Sequence, residues 1–359
     1  MNRHSAVVLA ELASDLGISC RILSLNDTAG HHELRVGKLS AAFEGFGRNK
    51  IRFVSASIRE ARSAVITCIG HPSLAPLAIP LKMLKPSSSC WVHVYGTDAW
   101  RRLPYPARRG LRLATGIISI SRYTSERASE AQSLENAAFH LLPCALDPEI
   151  GRMDGGTESD TAERVPSHRL LTVARLASNE RYKGVDDVIR ALAIIATHFP
   201  SICYDVVGDG DDRPRLEALA TSLGVRDRVH FAGWVTEAQL ATHYRDCDVF
   251  VMPSRCEGFG IVFLEAMKFA KPVVAGRHGG SPEVVEEGES GFLVENGAIG
   301  ELTTCLCRLL GDNELRTRMG RAGRDRVLSL FTFAHFRRRL REILLSDTSL
   351  ELPPEGAMR

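Results

Sequence analysis

Short apolar runs that alternate with helical stretches constrain the fold of this sequence more than any other feature. In the second half of the chain, runs of three or four mostly apolar residues recur between segments with the apolar spacing of helices. Strands that are buried on both faces by flanking helices are typical of parallel sheets. Six such strands are predicted, at residues 170–173, 204–207, 229–231, 249–252, 272–275 and 291–294. The pattern therefore predicts an α/β fold with a parallel sheet in this half.

The first half repeats this alternation after an opening helix. Residues 6–16 carry apolar side chains at helical spacing, and strands are predicted at 20–25, 64–69, 91–95, 116–120 and 139–142. A polar, Gly-rich run separates the two halves. We therefore predict two doubly wound, Rossmann-like domains that face a central cleft. Their bounds are 1–150 and 167–325, with a linker at 151–166 and a C-terminal helix and tail at 326–359 that pack back on the first domain.

The composition excludes several classes of protein. With 359 residues, of which 44% are hydrophobic and 25% charged, the chain is neither disordered throughout nor a polytopic membrane protein. Prolines and charged residues interrupt the apolar stretch 64–84, so it is too short for a membrane span. The nine cysteines are scattered without the paired spacing of a zinc site, which favours reduced thiols. No signal peptide precedes the first helix, and we predict a cytoplasmic protein.

The charge is distributed unevenly, although the formal net charge is only +2. Residues 1–130 hold about 18 Lys and Arg against about 9 Asp and Glu. Five arginines cluster in one segment, namely Arg101, Arg102, Arg108, Arg109 and Arg112. Such a segment suits a phosphate-rich ligand or the anionic inner face of a membrane, and ordinary solvated charge is the alternative.

The residues that follow the predicted strands are candidates for a ligand site, because ligands bind beyond the carboxyl ends of parallel strands. After strand 170–173 come Arg175 and Lys183, and Gly184 opens the next helix. Two cations before a helix N-terminus, whose free N–H groups carry partial positive charge, form a receptor for a diphosphate.

The loop after strand 204–207 permits two interpretations. Asp209 and Asp211 could bind a divalent cation, because clustered carboxylate oxygens are its preferred ligands. The run from Gly208 to Asp212 could instead be a Gly-rich turn. The next helix continues the alternation without a break, which favours the turn.

Two carboxylates, Glu257 and Glu265, follow strand 249–252. Gly258 and Gly260 allow the backbone to approach a ligand closely, and the helix that begins after them directs its N-terminus at the same place. Two carboxylates at this spacing can accept hydrogen bonds from hydroxyls at opposite ends of an extended ligand. A sugar nucleotide fits, with its ribose at one carboxylate, its sugar at the other and its phosphates neutralised by the two cations.

The spacing of Glu257 and Glu265 resembles the E-x7-E signature of the family 4 retaining glycosyltransferases, the glycosyl transferases group 1, which have the GT-B fold. Further motifs of that family follow in the same order: Val173-Ala-Arg175-Leu with Lys183-Gly184, Val207-Gly-Asp-Gly210, Val229-His-Phe-Ala-Gly233, Pro253-Ser254 and Gly279-Gly280-Ser-Pro-Glu283. The resemblance extends through much of the second half. It implies a donor-binding domain there and an acceptor-side domain in the first half.

The resemblance also implies roles for individual residues. Arg175 and Lys183 would bind the donor diphosphate, Glu265 would bind the ribose, and Glu257 would act on the donor sugar as a catalytic residue. The remaining donor-binding residues would be Gly258, Phe259, Gly260, Gly279 and Gly280. No metal ion or other cofactor is expected, because stabilisation of the leaving diphosphate by the protein substitutes for a metal.

In the first half, the segment 92–100 resembles the His-Gly-x-Asp/Glu segment of the family, which faces the sugar and the acceptor. Tyr95 stands where histidine is common in the family. His93, two residues earlier on a strand, points to the same face, so either His93 substitutes or no histidine is needed. We rank Asp98 ahead of His93 and Tyr95 as the acceptor-side polar group.

The start of the chain departs from the family, whose members begin with a strand and a Gly-rich loop. Here the pattern begins with the following helix, and Asn2-Arg3-His4 stands at the position of the loop. Either the true start lies upstream, or one strand and part of the site are missing.

Together these features predict a retaining hexosyltransferase that uses a nucleoside-diphosphate sugar and acts on a glycan or lipid-linked acceptor in cell-surface polysaccharide or glycolipid synthesis. The expected partners are the nucleotide sugar, the acceptor and an anionic membrane surface, and no nucleic acid. The alternative is a non-catalytic, transferase-like chain that binds sugar nucleotides. A nucleotide-sugar epimerase of the same two-domain fold has no specific motif in its favour.

Overall fold

The computed structural model describes residues 2–148 and 168–346, and the chain divides into two compact units. The first unit comprises Met1–Pro148 and Phe333–Arg359, and the second comprises Glu149–Thr332. The predicted linker at 151–166 and the tail beyond residue 346 lie outside the described residues. The chain thus returns from the second unit to the first for its C-terminal helix.

The first unit alternates strands and helices after an N-terminal helix. Its elements are α1 (Asn2–Asp15), β1 (Leu23–Ser24), β2 (Gly30–Val36), β3 (Leu39–Gly45), α2 (Lys50–Ala61), β4 (Ile66–Ile69), α3 (Ala78–Leu84), β5 (Ser89–Val94), α4 (Tyr105–Leu113), β6 (Gly116–Ser119), α5 (Arg122–Gln132) and β7 (Phe139–Leu141). Strands β4, β5, β6 and β7 form a parallel sheet in that order. Every residue of β5 and β6 is buried, as expected for parallel strands that are covered on both faces.

A second, mixed sheet occupies the region between α1 and α2, where one strand at 20–25 is expected. Its order is β1-β3-β2, with β1 parallel and β2 antiparallel to β3. The sequence pattern does not predict the hairpin of β2 and β3, because β2 is mainly exposed and polar, with a buried residue only at Val36. Gly37, at a φ of 59°, supplies the left-handed residue of the tight turn.

A cavity of about 1320 Å³ lies within the first unit. Its lining includes Leu12 of α1, Leu23 of β1, Phe53 of α2 and Ile66 of β4. Among the described residues, β1 pairs only with β3 and β4 pairs only with β5, so both are edge strands. The two sheets of this unit are therefore separate where the cavity lies.

The second unit contains the six predicted strands. Its elements are β8 (Arg169–Val173), α6 (Val185–Ile195), β9 (Cys203–Val207), α7 (Arg213–Ser222), β10 (Val229–Gly233), α8 (Glu237–Asp246), β11 (Val249–Met252), α9 (Ile261–Lys268), β12 (Val273–Gly276), α10 (Ser281–Val284), β13 (Gly291–Val294), α11 (Ile299–Gly311) and α12 (Asn313–Leu330). All strands are parallel, in the order β10-β9-β8-β11-β12-β13. The sheet reverses its winding between β8 and β11, which is the topological switch point where open α/β sheets bind ligands.

The last helix, α13 (Phe333–Leu345), packs on α1 within the first unit. Phe336, Leu340 and Leu344 share an apolar cluster with Val7 and Leu12. Two ion pairs border this cluster, Arg337 with Glu11 and Arg341 with Asp15, at 2.5 and 2.6 Å. Over the ranges 2–148 and 168–346, none of the helices combines the length and the apolar character that a membrane span requires.

Candidate functional site

The switch point between β8 and β11 brings two loops together at the carboxyl edge of the second unit's sheet. The loop after β8 ends in the 3₁₀ turn Ser178–Lys183, and the loop after β11 begins at Pro253. Gly184 lies where the loops touch, with a φ of 77°, and a Cβ here would lie 2.9 Å from the carbonyl oxygen of Pro253. The backbone N–H of Arg255 donates to the carbonyl of Tyr182 at 2.9 Å. Close backbone packing therefore fixes one loop against the other.

Lys183 and Glu257, one from each loop, form an ion pair with 2.5 Å between Nζ and Oε1. The two side chains are only 19% and 10% exposed. The ammonium group also lies 5.4 Å from the centre of the Tyr182 ring, within cation–π range. The structure thus brings together the residue predicted to bind the diphosphate and the residue predicted to act on the sugar.

Glu265 lies in the second turn of α9, on the same loop-and-helix segment as Glu257. Its Oε2 accepts a hydrogen bond of 2.7 Å from the hydroxyl of Tyr244 in α8. Burial raises the pKa of Glu265, and the hydrogen bond from Tyr244 opposes this increase because it favours the charged form. The pKa of Tyr244 is raised well above its ordinary value, mainly by burial and then by the charge of Glu265.

The loop after β12 covers the backbone of Glu257. Gly279, at a φ of 82°, approaches so closely that a Cβ would lie 2.6 Å from the nitrogen and 2.7 Å from the oxygen of Glu257. The N–H of Gly280 donates to that same oxygen at 2.7 Å. The two glycines therefore hold the carboxylate segment in place, which is a structural reason for their presence beside any contact with a donor.

Three of the seven residues between the carboxylates are predicted to bind the donor, namely Gly258, Phe259 and Gly260. Phe259 is 3% exposed and packs edge-on against Phe331. Gly260 has a φ of 89° and precedes the first residue of α9. Gly258 lies beside the Gly279-Gly280 turn, since a Cβ on Gly280 would meet the Gly258 carbonyl at 2.4 Å. Of these three residues Gly258 is half-buried, whereas Phe259 and Gly260 are buried.

Arg175 does not join the Lys183 pair but is exposed and paired with Glu180. Glu180 belongs to the 3₁₀ turn that carries Lys183, so the ion pair connects the two ends of the loop after β8. The Arg175 guanidinium group keeps most of its surface open to solvent, with 68% of the side chain exposed. It is accessible to an anion at this edge of the sheet.

The acidic residues that follow β9, at 209–212, lie in a turn. Asp211 accepts hydrogen bonds from the backbone and the hydroxyl of Ser178 at 2.8 and 2.6 Å, and Asp209 accepts one from Gly210 at 2.9 Å. The Asp209 bond closes the turn itself, and the Asp211 bonds join the turn to the loop after β8, which supports the turn interpretation. In the described part of the chain, no three His, Cys, Asp or Glu side chains are grouped as a metal site requires.

The first-half candidates lie at the end of β5. His93 is 1% exposed, its ring nitrogens have no hydrogen-bond partner among the described residues, and burial lowers its pKa to about 4. Asp98 accepts two hydrogen bonds from the Tyr95 N–H and lies 3.7 Å from the ring of His71. Burial is the main cause that raises the pKa of Asp98. Asp98 is half-buried, whereas His93 is fully buried.

The basic cluster lies on and just before α4. Arg101, Arg102, Arg109 and Arg112 are exposed, whereas Arg108 is half-buried. On α4, Tyr105, Arg109 and Arg112 recur at helical spacing on one face, and the Tyr105 side chain is also exposed. The helix therefore presents a basic face with an aromatic side chain to solvent.

Sequence reasoning missed Tyr244 and Glu180, the hydrogen-bond partners of two predicted site residues. Strand β11 and a loop separate Tyr244 from Glu265 in the sequence. No motif near Tyr244 indicates a functional role. Glu180 is recognisable only as the one carboxylate of the segment between Arg175 and Lys183.

The sequence pattern of the family described as "Glycosyl transferases group 1" matches residues 159–326. The chain is similar to a GDP-mannose-dependent alpha-(1-6)-phosphatidylinositol monomannoside mannosyltransferase of Mycolicibacterium smegmatis, with 33% identity over 293 residues, or 78% of this chain and 76% of the relative. A protein of the same description from Mycobacterium tuberculosis is 30% identical over 79% of this chain and 76% of its own length.

Solved structures resemble the fold at lower identity. A glycosyltransferase from Rickettsia africae has a TM-score of 0.75 at 15% identity, over 97% of this chain and 95% of that one. Sucrose-phosphate synthase from Thermosynechococcus elongatus has a TM-score of 0.73 at 20% identity, over 93% of this chain and 90% of its own. At these identities the likeness concerns the fold alone.

Proposed function

Since the chain belongs to the group 1 glycosyl transferases and has the GT-B fold, we propose that it transfers a hexose, with retention of configuration, from a nucleoside-diphosphate sugar to an acceptor hydroxyl. Glycosyltransferase activity follows from the family. The finer proposal rests on one observation, the ion pair of Lys183 and Glu257 at the switch point. Glu265 lies nearby along the chain, in the second turn of α9.

The donor diphosphate binds to Lys183, to Arg175 and to the backbone N–H groups at the start of α9. Together these groups stabilise the negative charge that develops on the leaving diphosphate. Two cations and a helix N-terminus supply positive charge where other transferases employ a divalent ion. We therefore propose transfer without a metal ion.

Donor binding changes the partner of Lys183. A diphosphate carries more negative charge than a carboxylate, so it attracts the ammonium group away from Glu257. The carboxylate is then free to accept hydrogen bonds from hydroxyls of the sugar, while Glu265 accepts those of the ribose. Asp98 in the first unit supplies the polar group on the acceptor side.

The acceptor belongs to a lipid-linked or glycan class in cell-surface polysaccharide or glycolipid synthesis. The names of the mycobacterial relatives include both GDP-mannose and a phosphatidylinositol mannoside, which makes GDP-mannose the first donor to test. The exposed basic face of α4 is suited to anionic lipid headgroups, where each cation adds roughly 1 kcal/mol near a charged surface. We propose peripheral attachment of the protein to an anionic membrane through this face.

A donor panel tests the assignment. GDP-mannose, UDP-glucose and ADP-glucose are compared by thermal shift, and transfer to a lipid extract is followed with the donor that binds, by mass spectrometry and by the NMR coupling of the new anomeric proton. Lys183→Ala and Glu265→Ala lose turnover at least 100-fold, whereas Arg321→Ala, an exposed residue of α12, does not. Turnover like wild type in both site variants overturns the assignment, and donor binding without transfer in the wild type favours the non-catalytic alternative.

Vesicle flotation tests the membrane proposal separately. Binding to vesicles of anionic phospholipid at low salt, and its loss at high salt, is expected for the wild type. Reversal of charge in the double variant Arg109→Glu/Arg112→Glu reduces the binding. Failure of the wild type to float at low salt rejects attachment through α4.

A further inference from the structure

Tyr244 has no role in the site as predicted from the sequence, yet it supplies the hydrogen bond that orients Glu265. It lies in the last turn of α8, fully buried, and its hydroxyl donates to Oε2 of Glu265 at 2.7 Å. Among the described residues, Tyr244 is the hydrogen-bond donor to the Glu265 carboxylate. The other oxygen, Oε1, is left for a ligand.

The ring of Tyr244 is held firmly by its neighbours. The Phe269 ring stacks on it at 5.7 Å with an angle of 11° between the planes, and the Phe250 ring lies at 5.9 Å. Aromatic contacts on both sides leave the phenol few alternative positions. A hydroxyl that cannot move fixes the oxygen to which it donates, and therefore the plane of the carboxylate.

Because Glu265 is buried, the hydrogen bond from Tyr244 affects the ionisation of this carboxylate as well as its position. Glu265 lies deep in the unit, where its charged form is disfavoured, and the negative Glu237 at the start of α8 disfavours it further. The Tyr244 hydroxyl is the group that favours the ionised carboxylate. An ionised carboxylate accepts two hydroxyls of a diol more strongly than a neutral acid does.

We propose that Tyr244 is a positioning residue for the nucleotide, which aligns Glu265 so that its free oxygen accepts the ribose hydroxyls. This inference rests on the proposed function, because it takes Glu265 as the ribose ligand. It adds a residue from a different helix to the recognition of the donor. Tyr244 touches neither the donor nor the acceptor, and it acts only through Glu265.

The test is a ratio of affinities measured on one protein. Binding of GDP, UDP and ADP to the full-length wild type is measured by calorimetry, and the nucleotide that binds is compared with its 2′,3′-dideoxy analogue. The ratio of the two affinities reports the contribution of the ribose hydroxyls. Since both ligands bind the same folded fraction, partial unfolding of a variant cancels in the ratio.

Tyr244→Phe keeps the ring contacts and removes the hydroxyl, and we expect the ratio to fall about tenfold. The loss grows as the pH is lowered, because without the phenol the pKa of Glu265 rises further and the neutral acid accepts the ribose hydroxyls more weakly. Binding of the dideoxy analogue changes little. Tyr204→Phe is the matched control, since Tyr204 is also fully buried and donates to Thr172 at 2.7 Å in the same unit. That variant keeps the ratio of the wild type.

Glu265→Gln separates the two hypotheses. A ratio that falls in Glu265→Gln but not in Tyr244→Phe overturns the role of Tyr244 and leaves the ribose role of Glu265 intact. A ratio that falls equally in Tyr204→Phe shows that the loss of another buried hydroxyl of this unit has the same effect, and it also overturns the role of Tyr244. A ratio near one in the wild type, or an unchanged ratio in Glu265→Gln, contradicts the ribose role that the proposed function gives to Glu265, and the inference fails with it.

Discussion

The Nζ atom of Lys183 lies 2.5 Å from Oε1 of Glu257, across the two loops that meet between β8 and β11. The pair is largely shielded from water, so each charge depends on the other for its solvation. One residue is assigned to the leaving diphosphate and the other to the transferred sugar. In the proposed function, the donor separates the two members of this ion pair.

Removal of the carboxylate charge tests this arrangement. In Glu257→Gln, Lys183 no longer has a charged partner, and we expect the nucleoside diphosphate to bind at least as tightly as it does to the wild type. Turnover falls about 100-fold or more, because the sugar loses its carboxylate. Calorimetry with the diphosphate and initial-rate assays measure the two effects separately. A diphosphate that binds tenfold more weakly to Glu257→Gln contradicts competition between the carboxylate and the phosphates.

Removal of the cation has a cost in stability. Lys183→Met leaves Glu257 charged, mostly buried and without its partner, and we expect the free energy of unfolding to fall by about 3 kcal/mol. The double variant Lys183→Met/Glu257→Gln regains most of this loss, because neither charge is then unpaired, but it does not regain activity. Urea unfolding of the wild type, both single variants and the double variant forms the thermodynamic cycle. Equal stability of Lys183→Met and the wild type shows that the pair is solvated in solution.

The sequence predicts the second unit better than the first for a physical reason. Most of its strands are buried on both faces and appear as mainly apolar runs, with the edge strand β10 as the exception, and parallel order then determines where Lys183 and Glu257 meet. The hairpin of β2 and β3 lacks such a run, because most of β2 faces solvent. The partnership of Tyr244 with Glu265 depends on the packing of α8 against α9, which no local pattern encodes.

Gly279 is predicted to be intolerant of a side chain. In Gly279→Ala the alanine must adopt a positive φ that side chains disfavour, and its Cβ also collides with the backbone of Glu257. Gly297→Ala is the control, since Gly297 has a φ of 78° but open space around it. The control loses about 1–2 kcal/mol from backbone strain alone. Gly279→Ala loses a further 1–3 kcal/mol or so from the collision and reduces kcat, because the Glu257 segment must shift. Urea unfolding and initial rates measure both, and equal behaviour of the two variants rejects the packing role of Gly279.

Asp212 is predicted to make the stability of the second unit dependent on pH. Its carboxylate is buried and accepts hydrogen bonds from Arg215 at 2.8 and 2.6 Å and from Arg181 at 2.9 Å, in the turn that carries Lys183. The Arg215 hydrogen bond, followed by the other contributions of the two arginines, holds the pKa of Asp212 below its usual value. A lowered pKa in the folded state adds stability at a pH above the unfolded value of about 4, and that stability is lost as the pH falls through the folded value.

Asp212→Asn therefore reduces the free energy of unfolding at pH 7, by about 2 kcal/mol. The deficit begins to shrink below about pH 4 and shrinks further as the pH falls through the lowered pKa of the folded state, where the wild-type carboxylate becomes protonated. Urea unfolding of both proteins at pH 7, 5 and 3.5 follows this convergence. High salt at pH 7 reduces the deficit as well, because both arginines are partly exposed and their interaction is screened. A difference in stability that stays constant from pH 7 to 3.5 would falsify the role of the Asp212 charge, and the turn would then depend on packing alone.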